Sequence, residues 1–182
     1  MAPGPSFSLG ASFADEFDIP VCATYSRINS QADGDEMKLT DEIKAALGKV
    51  DAEHSDGPGL SDREWTRRIK EELGAMGKHK GYYAYGLKGA PEHCDDGEFM
   101  FDLCWLDYGQ GDTWLKRIPM AMECEWRSAD DIDDDFLKLV VTRADLKVMI
   151  FGAETHAQFD EIVKRLRQWK EAFEAGSPND EF

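Results

Sequence analysis

Long apolar runs are missing from this sequence. A membrane-spanning helix needs roughly 20 consecutive apolar residues, and a stretch such as Val148-Met149-Ile150-Phe151 stops at once against Lys147 and Gly152. Positive charge is also scarce: 21 Lys+Arg face 37 Asp+Glu, giving a formal charge of −16 and an isoelectric point near 4.6. The mean field of such a chain repels phosphate, which argues against coating or scanning nucleic acid and leaves only a local basic patch to collect it. The opening Met1-Ala-Pro-Gly-Pro-Ser-Phe-Ser8 has neither the basic segment nor the apolar core of a secretory signal, so a cytoplasmic location is expected.

Other chemistries drop out for want of their spacing. The four cysteines, Cys22, Cys94, Cys104 and Cys124, include no close pair, so free thiols are expected. His93 with Cys94, Cys104 and Cys124 lacks the CxxC or HxxxH spacing of a zinc site. There is no GxSxG elbow, and Gly109-Gln-Gly111 is not followed by the Lys-Ser/Thr of a phosphate loop. The run Asp130 to Asp135 lacks the interior glycine and terminal glutamate of a calcium loop and reads as a solvated helix start.

What is present suits one compact domain: 42% of the 182 residues are hydrophobic and 11% aromatic. Residues 1–60 read as a loosely structured extension with one short helix, Thr40 to Val50, and a linker from Asp51 to Leu60 around Gly57-Pro58-Gly59. The α/β domain is expected over 61–176, with 177–182 as a tail. Ser61 and Glu64 predict a capped helix with Trp65, Ile69, Leu73 and Met76 on one stripe, loosened at its end by Gly74 and Gly77. Strands are expected at Tyr82 to Tyr85, Phe99 to Leu106 and Met120 to Trp126. A helix through Phe136, Leu139, Val140 and Ala144 should follow, then a strand from Leu146 to Phe151. The last helix carries Phe159, Ile162, Val163, Leu166, Trp169 and Phe173 on one stripe and stops at Gly176-Ser-Pro178.

Acids lie inside two of the apolar strands. Asp102 sits in Phe99-Met-Phe-Asp-Leu-Cys-Trp105, and Glu123 and Glu125 in Met120-Ala-Met-Glu-Cys-Glu-Trp126. With a period of two, Glu123 and Glu125 share one strand face while Met122, Cys124 and Trp126 take the other. If Asp102 joins that face, three carboxylates converge, and like charges stay together only with a cation or protons between them. Mg²⁺ (or Mn²⁺) fits such a set, with Asp102, Glu123 and the backbone carbonyl of Cys124 as ligands. The plainer alternative is a solvated sheet face that happens to be acidic.

This arrangement resembles the PD-(D/E)XK, or restriction endonuclease-like, nuclease superfamily. Its core runs helix, three strands, helix, strand, with metal-binding acids on the second and third strands. Over roughly Asp62 to Gly152 the order agrees. The resemblance implies that Asp102 and Glu123 are the metal acids and that Glu64, in Arg63-Glu-Trp-Thr66, is the acid some members add on the preceding helix. The chain departs from the pattern at Glu125, which makes ExE of the expected ExK. Some members use a glutamate there and others move the lysine to the next helix, where Lys138 stands in Asp135-Phe-Leu-Lys-Leu139. Lys138 also reads as a surface lysine paired with Asp134 or Asp135.

The implied activity is metal-assisted phosphodiester hydrolysis of DNA or RNA, with Glu125 or Lys138 positioning or deprotonating the attacking water. Substrate would approach through Arg63, Arg67, Arg68 and Lys70, or through Lys78-His79-Lys80. The helix cluster reads more readily as an ordinary solvated face interspersed with Glu64, Glu71 and Glu72. The competing expectation keeps the fold without catalysis: an acidic interaction protein that binds a basic protein partner or mimics nucleic acid.

Overall fold

The computed structural model describes residues 23–25, 33–54, 61–109, 113–153 and 155–173. The linker core at 55–60, the stop at Gly176-Ser-Pro178, the tail 177–182 and Cys22 lie outside these residues. The elements, in chain order, are β1 (Ala23–Tyr25), α1 (Asp33–His54), α2 (Asp62–His79), β2 (Tyr83–Gly86), β3 (Asp96–Gly97), β4 (Leu103–Asp107), β5 (Arg117–Glu125), α3 (Ala129–Val141), β6 (Ala144–Phe151) and α4 (His156–Ala172). The strands form one mixed sheet in the order β1-β6-β5-β4-β2-β3. β5 and β6 are parallel, with α3 as their crossover, while β4 runs antiparallel to both β5 and β2.

Period-two alternation divides the sheet between two helical layers. Met120, Met122 and Cys124 of β5 join Leu103 and Trp105 of β4 in a core with Trp65, Ile69 and Leu73 of α2. Ala121, Cys104 and Leu106 point the other way, into a core with Ile132, Phe136 and Leu139 of α3 and Ile162 and Leu166 of α4. The result is an α/β fold with helices on both faces of the sheet. Among the described residues no helix is long and apolar enough to cross a membrane. Cys94, Cys104 and Cys124 are buried free thiols, and burial pushes the Cys104 thiol up to about 12.

Several boundaries differ from those expected. The segment read as a loose extension supplies structure to the domain: β1 pairs with β6, Ala23 opposite Val148, and α1 is longer than Thr40 to Val50. Ile43, Ala46, Leu47 and Val50 of α1 are buried in the same cluster as α2, and Lys49 reaches Glu72 at 2.9 Å. The second expected strand begins at Leu103 rather than Phe99, because Met100 turns left-handed at φ 66° and Phe99 bridges back to Phe101. Ala144 opens β6 rather than closing α3.

Gly74 and Gly77 do not loosen α2. A Cβ at Gly77 would stand 2.4 Å from Trp105 Nε1, and one at Gly74 would stand 2.7 Å from Cys94 Sγ. Gly77 lets the indole lie against the helix, where Trp105 Nε1 donates to the Leu73 carbonyl at 3.1 Å, and Gly74 makes room for the His93-Cys94 segment.

Candidate functional site

Because β4 and β5 are antiparallel with Leu103 opposite Met122, the start of one lies beside the end of the other. Asp102, just before β4, therefore meets Glu123 and Cys124. Two hydrogen bonds lock the meeting. Asp102 N–H donates to Glu123 Oε2 at 3.2 Å, and Cys124 N–H donates to Asp102 Oδ2 at 2.8 Å. Each carboxylate thus accepts a backbone donor from the other strand, which fixes two like charges side by side.

Two lysines from opposite helical layers offset them. Lys70 of α2, only 4% exposed, donates to Asp102 Oδ1 at 2.9 Å and to Glu98 Oε1 at 2.6 Å. Burial draws its pKa down, but the bonds to Glu98 and Asp102 outweigh that and hold it above the ordinary lysine value. Lys138 of α3 bonds Asp135 at 2.6 Å and lies 3.4 Å from Glu123 Oε1. Glu123 is 3% exposed, and its Oε1 finds no hydrogen-bond partner among the described residues. Burial first, then the Asp102 charge, pushes its carboxyl up to about 7 against the pull of Lys138.

These side chains line a cleft of about 880 Å³ at the sheet end, together with Asp62, Arg63, Thr66 and Arg67 of α2, Met100 and Phe101, Glu125 at the end of β5, and Trp126 and Arg127 after it. The chain matches no protein-family model, no curated protein and no solved structure.

The expected residues divide sharply. Asp102 and Glu123 come together, and Lys138 reaches Glu123 while keeping its pairing with Asp135. Glu125 does not complete a three-acid cluster. Its carboxylate folds back onto the Trp126 and Arg127 N–H groups at 2.8 and 2.7 Å and onto the Arg127 guanidinium at 3.1 Å. Glu64 closes the Ser61 capping box and does not line the cleft. Its hydrogen bonds from Ser61 hold its pKa below the usual carboxylate value.

The basic candidates also separate. Arg63 and Arg67 line the cleft, Arg67 while paired with Glu71 at 2.7 Å, and Arg68 pairs with the same Glu71 at 3.3 Å outside it. Lys78 and Lys80, at the other end of α2, pair with Asp95 and Glu42.

Sequence reasoning places Lys70 on a solvated basic face and misses its position at the acids. One signal is available: Thr66, Lys70, Gly74 and Gly77 recur at helical spacing beside the Trp65-Ile69-Leu73 stripe, and small residues on both sides of a lysine mark a face pressed against a neighbour. Among the described residues no three His, Cys, Asp or Glu side chains are arranged to hold a metal ion. The donors near Glu123 are two carboxylates and a strand-end backbone. That set fits a hard cation which keeps most of its water, and among the described residues Glu123 Oε1 makes no hydrogen bond beyond its loose 3.4 Å ion pair with Lys138.

Proposed function

We propose that the protein is a metal-dependent phosphodiester hydrolase acting on nucleic acid, built on a restriction endonuclease-like core. The observation that carries this reading is the Asp102–Glu123 carboxylate pair, clamped by reciprocal backbone bonds and lining a cleft, with the buried Oε1 of Glu123 held, among the described residues, by nothing closer than the half-exposed Lys138 ammonium at 3.4 Å. The order α2, β2, β4, β5, α3, β6, interrupted only by the two-residue β3, supports the fold assignment. Asp102, Glu123 and the Cys124 carbonyl are the residues that would hold Mg²⁺ or Mn²⁺. When bound, such an ion polarises a phosphoryl oxygen and makes water acidic enough to attack.

The remaining work belongs to the chain's own cations. Lys138, half-exposed on a flexible stem, can swing from Asp135 and Glu123 to a phosphate oxygen while its own charge stays solvated. Lys70 is fixed and buried, so it orients the Asp102 carboxylate. Arg63, Arg67 and Arg127, on the cleft wall, suit phosphate positioning. In this scheme two helical lysines replace the lysine absent from the ExE motif, and Glu125 orients Arg127 instead of acting on water.

One observation favours the competing reading of a non-catalytic acidic interaction protein. The Lys70 ammonium already occupies Asp102 Oδ1, so the acids are partly neutralised from within. The test is cleavage of labelled single- and double-stranded DNA and RNA with Mg²⁺ or Mn²⁺, comparing wild type with Asp102→Asn and Glu123→Gln. Metal-dependent cleavage abolished in both variants supports the hydrolase. No cleavage above the variants' background on any substrate rejects it in favour of the interaction protein.

A further inference from the structure

The turn between β3 and β4 carries an apolar tip that neither core uses. Met100 is 71% exposed and Phe99 42%, and Met100 has φ 66°, a conformation rare outside glycine. The turn is nonetheless held in place. Phe101 is buried, Phe99 bridges Phe101, Cys104 Sγ reaches the Phe99 carbonyl at 3.4 Å, and the Phe99 ring lies 6.0 Å from Tyr85. A strained, fixed backbone that displays a large apolar side chain calls for an occupant. Met100 lines the same cleft as Asp102, Glu123 and Arg67.

Charge narrows what that occupant is. A chain of net charge −16 gains little from bulk attraction to a polyanion, and the five cations that line its cleft are outnumbered by six acids. A short stretch of phosphates is all those cations can neutralise, so affinity must come from something other than backbone charge. Every nucleobase offers an apolar face, and contact with it is available only where the base is unstacked.

We propose that Met100, supported by Phe99, is a base-packing platform, and that the substrate class is nucleic acid presenting an unpaired nucleotide beside the phosphodiester at Asp102 and Glu123. The inference rests on the hydrolase reading and deepens it by selecting single strands over intact duplex.

The experiment measures binding by fluorescence anisotropy of a labelled single-stranded 12-mer and its duplex, without divalent metal, alongside metal-dependent cleavage of both. Met100→Gly removes the side chain while suiting the positive φ, so the turn survives, and Met100→Leu restores apolar bulk. The expected result is at least about tenfold tighter binding of the single strand, most of it lost in Met100→Gly and largely regained in Met100→Leu. Increasing salt should weaken binding only shallowly, since few phosphates are contacted. Equal binding of strand and duplex, or no effect of Met100→Gly, while cleavage persists and still requires Asp102, overturns the platform and leaves the hydrolase standing. Absence of both binding and cleavage on every nucleic acid overturns the hydrolase and the platform together.

Discussion

Replacing Glu123 by Gln tests the electrostatics of the site directly, without any metal or substrate. In the folded chain the Glu123 carboxyl titrates near 7 rather than 4.5, because it is buried beside Asp102. The folded state therefore holds a proton that the unfolded chain releases between about pH 4.5 and 7. Stability from this group is fully present below its unfolded value and is lost as pH rises through the folded one. At 1.36 kcal/mol per pH unit the shift corresponds to on the order of 3 kcal/mol. The introduced amide is isosteric with the carboxyl, keeps an acceptor for Asp102 N–H and never ionises, so Glu123→Gln should match wild type near pH 5 and gain on it up to about pH 8. Urea titrations at several pH values in chelator read the difference. With a slope of roughly 2–3 kcal/mol per molar urea, the relative midpoint should move by about 1 M. A difference that is flat with pH, or that favours wild type as pH rises, would refute the reasoning.

Other perturbations separate structural from functional roles. Gly77→Ala forces a methyl into the Trp105 indole and should destabilise by about 1–3 kcal/mol, read as a lower midpoint in urea, where a merely loose helix end would tolerate alanine. Lys70→Met leaves Asp102 beside Glu123 with only the Cys124 N–H for support. It should cost about 2–3 kcal/mol, and adding Asp102→Asn should recover much of the loss in a double-mutant cycle. Ser61→Ala and Glu64→Gln should lower the melting temperature slightly and leave metal-dependent turnover unchanged, because that pair caps α2 away from the cleft.

The parts of the fold that are legible in the sequence rest on period. Met120-Ala-Met-Glu-Cys-Glu alternates cleanly, so β5 and the side on which Glu123 lies follow from sequence alone, and an antiparallel neighbour then brings Asp102 close. Phe99 to Phe101 reads as strand because aromatic composition says apolar surroundings but not direction of chain, and nothing marks a methionine as the residue that turns left-handed. Gly77 illustrates the same limit. A helix glycine reads as a weak point from propensity, and only the indole above it explains the missing Cβ. Glu125 leaves its expected place for a local reason: β5 ends at that residue, so its carboxylate meets the backbone of the following turn before it meets Asp102.

The site's arrangement is hard to explain as a device for stability. Two neighbouring acids, one almost fully buried, are held by lysines drawn from opposite sides of the sheet. Buried ion pairs of this kind rarely outperform apolar side chains of similar volume, and the cores immediately above and below are apolar. Folding alone would favour another leucine at position 102 or 123. Acids at these positions cost folding energy, and the two lysines offset that cost unequally. Lys70 is locked into the fold and sets the geometry of Asp102, whereas Lys138 is exposed enough to move and shares itself between Asp135 and Glu123. A fixed cation and a mobile one thus flank the same acid pair, and only the mobile one can change partners without disturbing the core.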